Sequence, residues 1–401
     1  MRKFISCPLV VAGVLLAGCS PMQEAVQIPA EDHMKTAAFA IYMSGDYRGL
    51  SAYDEPGSGV IFFHPESKEW TRWDLGGLDG GALSFDGKNL HVKDKKNHYV
   101  VGKTETRTFE HPNAPVNIVD NQVPLVSGGA VAYVNRGYAE EPDRLGEYEF
   151  EVMITEGENT AVRRVPATLW SSTVCEDGSV WAAGFQQDAI EDPVLAMRPP
   201  IQIYRIYPNF SDKPAVKYAG KYLTVINSAI ACIDNTIYFT SDNYIPPPEG
   251  AGYADNRHLV GSSLISYDPS TGLVVEKEMS GDYTIRADMD QLNPHYNEYY
   301  AYGDNIWWVS GYGKLVKTNI HTAENTAVFD ASGTSSFYKQ YDKYLFRFDF
   351  NHSGDMIIYR YNLETEEIES ESVVPNIDDV EKRGQFPSSL EIIDVEALLR
   401  L

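Results

Sequence analysis

Basic residues are scarce in this chain, cysteines are scarcer, and long apolar runs are missing beyond the N-terminus. Lys and Arg number 33 against 57 Asp and Glu, a formal net charge of −24. Such a surface repels nucleic acid and anionic lipid headgroups, and no basic stripe interrupts it. After the first twenty residues no run approaches the ~18 apolar positions of a helical membrane span. Long amphipathic helical patterns are nearly absent. The H-E-x-x-H, G-x-S-x-G, P-loop and paired C-x-x-C motifs are missing, and a sialidase-type Asp box is not reproduced. What remains is rich in tyrosine (26 residues) and in β-branched side chains, the composition of an all-β protein.

The N-terminus stands apart from that composition. "MRKFISCPLVVAGVLLAGC" has a basic start (Arg2, Lys3), an apolar core and small residues at its end, the layout of a secretory signal. Leu16-Ala17-Gly18-Cys19 resembles the bacterial lipobox, which implies cleavage before Cys19 and lipidation of its sulfur. Residues 1–18 are then a lipoprotein signal peptide, and 19–36 are a lipidated cysteine with a polar tether lacking a packing pattern. An acyl anchor buries methylenes at roughly 0.8 kcal/mol each, so the expected location is extracytoplasmic, on a bacterial membrane without crossing it. Removing Arg2 and Lys3 takes the net charge from −24 to −26.

The remaining 37–401 contains no internal linker and is expected to be one domain. A repeat runs through it: strand residues, Asp followed usually by Gly or Asn, then an apolar strand. Copies centre on Asp86, Asp120, Asp177, Asp234, Asp304, Asp342 and Asp394. Asp-Gly and Asp-Asn suit tight hairpins because both central residues tolerate φ > 0. A second hairpin follows most copies, as in "SLISYDPSTGLVVEKEM" and "GVIFFHPESKEWTRWDL". Four antiparallel strands repeated every ~34 to 70 residues predict a β-propeller. A β-sandwich with coincidental turns is the alternative. Seven blades are expected, six or eight being the other counts. The segment before "AAFAIYMSG" lacks an aspartate hairpin, and a surplus copy lies at the C-terminus. The ring therefore closes if "SSLEIID" supplies the inner strand of the N-terminal blade, which leaves no open sheet edge.

At this level the chain resembles bacterial surface propellers of the quinoprotein-like and YVTN-repeat type, best in "Tyr-Asp-Pro-Ser-Thr-Gly" at 267–272. The diagnostic YVTN and tryptophan-docking motifs are absent, so no functional residue carries over. Cys175 and Cys232 occupy the same slot of neighbouring repeats. Rotationally equivalent Cβ atoms point the same way, which favours paired free thiols over a 175–232 disulfide, although export favours oxidation.

The connections are unequal. Those at 44–59, 135–147, 185–200 and 242–261 are long, and antiparallel geometry sends them, with the connection at 282–298, to one face of the ring. Long loops around a channel mouth are where propellers usually bind. This face carries Tyr47, Tyr53, Tyr138, Tyr244, Tyr253 and Tyr296, with Asp46, Asp54, Asp188, Asp192, Asp242 and Asp255. Flat amphipathic rings beside fixed carboxylates suit sugar hydroxyls, cationic peptides or a protein surface; solvated loops without a ligand are the alternative. Asp288, Asp290 and His295, with Asn293, could offer ligands to calcium or another divalent ion, but the glycine and closing glutamate of an EF-hand are missing. No cofactor is expected, calcium being the exception that a ring of channel carboxylates could hold. The expectation is a non-catalytic, lipid-anchored propeller that binds a protein or carbohydrate partner in the envelope or at the cell surface. Alternatives are a propeller hydrolase, lyase or lactonase using channel-mouth carboxylates, and a scaffold subunit of an envelope assembly.

Overall fold

Five of the expected aspartate turns form as hairpins between an innermost strand and its neighbour, at Asp86, Asp177, Asp234, Asp304 and Asp342. Asp234 and Asn235 both take positive φ, 50° and 58°, which matches the right-handed twist of the flanking strands. A computed structural model describes residues 28–45, 57–138, 148–185, 200–218, 223–224, 229–244, 259–281, 298–309, 313–330, 336–350, 354–382 and 384–401.

These hairpins build seven blades of four antiparallel strands, with two-residue additions at Leu223–Thr224 in blade 5 and, in parallel, at Ser280–Gly281 in blade 6, so the chain is an all-β, seven-bladed propeller. From the channel outwards, blade 2 is Leu83–Phe85, Leu90–Lys93, Asn97–Val101 and Thr106–Glu110. Blade 3 is Ile118–Pro124, Gly129–Tyr138, Tyr148–Glu156 and Asn159–Val165, and blade 4 is Thr168–Val174, Val180–Phe185, Ile201–Tyr207 and Val216–Tyr218. Blade 5 runs from Ile230–Ile233 to Leu273–Glu278, blade 6 from Tyr300–Tyr302 to Glu324–Asp330, and blade 7 from Ser336–Tyr341 to Glu367–Val374. Blade 1 joins the two ends of the chain. Gln385–Ile392 is its innermost strand and pairs antiparallel with Phe39–Gly45, aligning Phe39 with Ile392 and Ile41 with Leu390. Ser58–His64 and Glu69–Leu75 complete it.

Because blades pack face to face, the core lies between them. Phe39, Ile41, Ile61 and Phe63 of blade 1 meet Phe346, Phe348, Met356 and Ile358 of blade 7. Every residue of Phe39–Gly45 and Ser58–His64 is buried, which is why these strands read as continuous apolar runs and not as alternating ones. Ala30–Met34, within the stretch assigned to the tether, forms a short helix with Ala30, His33 and Met34 buried. Asp394 does not make a hairpin. Its side chain accepts from the Ala397 amide and caps a C-terminal helix, Val395–Leu399.

The cysteine expectation is corrected. Cys175 and Cys232 form a disulfide between the innermost strands of blades 4 and 5, with Cα atoms 5.2 Å apart. Innermost strands converge toward the axis, and these two are tied side by side: the Ile230 amide donates to Ser171 Oγ, and the Asp177 amide to Asn235 Oδ1. Cys175 stands one residue past its strand while Cys232 is still within its own. That offset breaks the rotational equivalence that made a bond look unfavourable.

Removing residues 385–401 is expected to abolish the cooperative unfolding of the whole propeller, since blade 1 loses its channel-side strand and the ring its closure. Circular dichroism melts of the full and truncated chains check this. An unchanged midpoint would show that the closing strand is dispensable.

Candidate functional site

The long-loop face is the edge of the ring where second strands end and third strands begin. Among the residues expected there, Asp46, Tyr47, Tyr53, Asp54, Asp188, Asp192, Tyr253, Asp255 and Tyr296 lie outside the described residues, as do Asp288, Asp290, His295 and Cys19. Asp242 and Tyr244 end the second strand of blade 5, Thr236–Tyr244, aligned with Ser262 and Leu259 of the third strand. Tyr138 is the residue of that set whose side chain is described, and it stands at a built site.

That site begins with a misread aspartate. Asp120-Asn121 has the composition of a hairpin turn, yet the turn of blade 3 lies at Leu125–Gly129, where the Leu125 amide donates to the Gly129 carbonyl. Ser127-Gly128-Gly129 was the competing signal in the sequence. Asp120 instead sits in a β-bulge: Val119 aligns with Val134 and Asn121 with Tyr133, leaving Asp120 without a partner. A bulge re-aims the extra side chain. Here it leaves Asp120 exposed on the innermost strand, at the channel and near its loop-face end. Trp170 occupies the equivalent bulge in blade 4, between Leu169 and Ser171, where its ring packs on Phe185 with centroids 5.3 Å apart.

A polar chain runs outwards from Asp120. Asn135 Nδ2 donates to Asp120 Oδ2 at 3.0 Å, and the Tyr148 hydroxyl donates to Asn135 Oδ1 at 2.8 Å. The Gly137 amide also donates to Asn135 Oδ1, at 3.0 Å. Three bonds thus fix the Asn135 amide. Tyr148 then meets Tyr138 edge to face at 5.0 Å, and the Tyr138 side of the pair is 58% exposed. Although Asp120 is open to the channel, the protein walls around it leave little bulk water at the carboxyl, and this desolvation pushes it up to about 6, against the opposing effect of the Asn135 bond. Desolvation also raises the Tyr148 phenol, and the charge of Asp120 adds to this. The arrangement presents a carboxylate with unused lone pairs, an oriented phenol and an exposed flat ring within one blade.

A second charged group links the innermost strands of blades 7 and 1. Lys339 Nζ lies 2.8 Å from Glu391 Oε1, and the Tyr300 hydroxyl donates to Glu298 Oε2 at 2.5 Å. Desolvation raises the Glu391 carboxyl, with Lys339 opposing. Burial lowers the Lys339 amine, but Glu391 and Glu298 outweigh it and leave it raised. Among the described residues, no group of three or more His, Cys, Asp or Glu is placed to hold a metal ion.

The match to a family model agrees with the ring. A family model described as "YycP, beta-propeller domain" matches residues 32–393. Similar solved structures include BamB from Moraxella catarrhalis, 13% identical over 82% of this chain and 86% of that one, with a TM-score of 0.42. A putative 6-phosphogluconolactonase from Bacteroides uniformis is 12% identical over 88% and 98%, with a TM-score of 0.45. Cobalt-substituted apocarotenoid oxygenase from Synechocystis is 8% identical over 90% and 93%, with a TM-score of 0.46. At these identities no residue role carries over. No curated protein matches the chain.

The Asp120 carboxyl gives a signed pH prediction. Its folded-state value, about 6, lies above the ordinary 3.8, so the folded chain holds this proton more tightly than the unfolded chain does. Ionising it costs stability above about pH 6, and that cost is absent below about pH 4, where both states are protonated. Asp120→Asn is therefore expected to raise the urea midpoint at neutral pH and to leave it unchanged in acid. An equal or lower midpoint at neutral pH would count against a desolvated carboxyl here.

Proposed function

We propose, for a chain that belongs to the YycP β-propeller domain family, a binding module outside the cytoplasm that takes a hydroxyl-rich glycan at its loop-face channel mouth. The observation that carries this reading is the chain Asp120–Asn135–Tyr148 ending in the exposed Tyr138 ring. A sugar offers an apolar C–H face that covers an aromatic ring and hydroxyls that donate to a carboxylate. The Asn135 amide holds Asp120 in place without occupying all of its acceptor sites. The strongly acidic chain disfavours anionic polymers and leaves neutral or cationic glycans as the matching class.

An extracytoplasmic location is supported by two independent features. Leu16-Ala17-Gly18-Cys19 resembles a lipobox, whose cysteine would be acylated, and the Cys175–Cys232 bond suits an oxidising compartment. A lipid on Cys19 would hold the propeller on a membrane through the segment that precedes the Ala30–Met34 helix. Changing Cys19→Ala is expected to leave the protein uncleaved or shed in soluble form, as read by fractionation and by the mass of the N-terminal peptide. Normal processing and membrane retention of that variant would count against the anchor.

The binding reading is tested by Tyr138→Ala and Asp120→Asn against a glycan array. Truncating a central aromatic anchor costs about 2 kcal/mol or more, which is about 30-fold in Kd. Glu66→Gln with Glu364→Gln, on the short-turn face, should leave binding unchanged, since exposed charges, the Lys343–Glu364 surface pair included, contribute under about 1 kcal/mol. Loss from the short-turn pair, or none from Tyr138→Ala, would move the site elsewhere. A protein partner on the same face would be lost with the same two variants while every glycan on the array failed to bind. The raised Asp120 carboxyl also favours a second reading, a hydrolase or lyase using that group as acid. Turnover of the bound glycan, abolished by Asp120→Asn with binding retained, would select it.

A further inference from the structure

The segment that leads from the expected tether into blade 1 is fastened to the propeller through histidines. Ala30–Met34 forms one short helix in which Ala30, His33 and Met34 are buried. Ala30 and Met34 join the apolar cluster shared by blades 1 and 2, with Phe62, Trp73, Leu83 and Val101. His33 stacks on Phe62, with ring centroids 5.0 Å apart and planes 5° apart, and its Nδ1 lies 2.7 Å from Thr71 Oγ1. His64, at the end of the third strand of blade 1, places its Nε2 2.7 Å from the same Thr71 Oγ1 and its Nδ1 2.9 Å from Thr36 Oγ1. A chain Thr36–His64–Thr71–His33 thus ties the segment to blade 1. Thr106 Oγ1, which donates to Glu31 Oε2 at 2.7 Å, ties it to blade 2.

Thr71 has one hydroxyl proton and serves two imidazoles. With both rings neutral, one direction of donation satisfies the whole chain: Thr36 to His64 Nδ1, His64 Nε2 to Thr71, and Thr71 to His33 Nδ1. With both rings protonated, Thr71 accepts from two cations and its own proton loses its acceptor in the chain. His33 and His64 are only 1% and 8% exposed. Among the described residues the histidines within 4.0 Å of a carboxylate are His91, His111 and His321, so neither ring of this chain has a counter-charge in contact. Two cations on one hydroxyl, out of water and unpaired, are costly.

The charged and titratable groups that face the two rings come from three elements. The segment itself carries Glu31, Asp32 and Lys35, the last two paired with each other. On blade 1, register puts Glu69 on the face that holds His64 and Thr71. On blade 2, the corresponding face carries Tyr99, whose hydroxyl donates to Asp94 at 2.8 Å, and Glu110 on the outermost strand, with Lys103 and Glu105 in the turn before Thr106. Desolvation lowers both rings, and His64 lowers His33 further. The Ile28 carbonyl and Asp32, and for His64 the Thr36 carbonyl and Glu69, pull the other way without cancelling this. The docked values therefore lie below the ordinary 6.5. Docking has its full strength above that pH and loses it as the pH falls, by up to about tenfold per pH unit for each ring, until the docked rings themselves take protons. A helix this short has no stability of its own in water, so the segment yields before any strand of the ring.

We infer that Thr36, His64, Thr71 and His33 form a pH-sensitive latch, which holds Pro29–Ala37 against blade 1 while both imidazoles are neutral and releases it when they take up protons. Release lengthens the covalent path between Cys19 and the ring by those nine residues, at up to ~3.5 Å each. It also uncovers the apolar groove between blades 1 and 2 that Ala30 and Met34 fill. The change in reach concerns a chain held by lipid and rests on the anchor proposed at Cys19; the latch and its test do not.

The test is NMR on the full mature chain without ligand, across the ordinary histidine range. The Met34 methyl reports docking, by its shift and by relaxation dispersion, and the Cε1–H resonances of His33 and His64 report the rings. Between about pH 7.5 and 5.5 the ratio of released to docked segment should rise about 10-fold if one ring drives release and about 100-fold if both do. In the double variant His33→Gln with His64→Gln the ratio should stay level. If that variant does not dock even at neutral pH, the wild-type chain decides alone, through the shared pH dependence of the ring and methyl resonances. A Met34 ratio that stays level while the rings titrate, an equal rise in the double variant, or a release confined to the carboxyl range below about pH 4.5 would each overturn the latch. A Cys19 without lipid would remove the consequence for reach and leave the latch result as it stands.

Discussion

Everything in this fold depends on the pairing of Gln385–Ile392 with Phe39–Gly45. A sheet that is not closed exposes unpaired backbone groups and an apolar face, and here one strand from the C-terminus removes both liabilities for blade 1. Its side chains reach past that blade as well. Ser388 Oγ donates to the Gly81 carbonyl, and the Leu83 amide donates to Ser389 Oγ, so the closing strand also sets the innermost strand of blade 2. The segments 344 residues apart at Ser44 and Ser388 are held by one hydroxyl pair.

Closure has a consequence for side-chain placement. In an open antiparallel sheet one face is solvated, and alternation of apolar and polar residues marks it. In a closed ring of blades the second strand is covered on both faces. "LHVK", Leu90–Lys93, alternates as a half-exposed strand should, yet all four residues are buried. The polar positions of that alternation become the seam that holds His91, Lys93 and His98. A fold that buries both faces of its sheets turns an ordinary amphipathic strand into a buried row of polar side chains.

The bulges work at the same level. Asp120, Trp170 and Arg136 are each an extra residue in a ladder, and Asp120 stands at the chemistry proposed for this protein. A bulge exchanges one ladder position for a redirected side chain. The same blade thus presents Asp120 to the channel and turns Arg136 toward its neighbour. Asn135, which holds Asp120, and the buried Glu151 lie on opposite faces of blade 3.

The turns, the strand composition and the surplus repeat were legible in the sequence because each depends on residues close together in the chain. Asp234-Asn235 makes its hairpin from its own backbone preferences, and the missing first hairpin could be matched to the extra copy near Asp394 by counting. Even there, Asp394 proved to be a helix cap, since an aspartate oxygen serves a turn and an N-cap equally well. Of the candidate site, only the loop-face position of Tyr138 was legible. Asp120 looked like a turn residue until the strand partners on both sides of it were known. The Cys175–Cys232 bond, the burial of Lys93 against Met153 and the Asn135 clamp were decided by tertiary structure alone, because each is set by a partner brought close by the ring, and local spacing carries no record of which distant residue that will be.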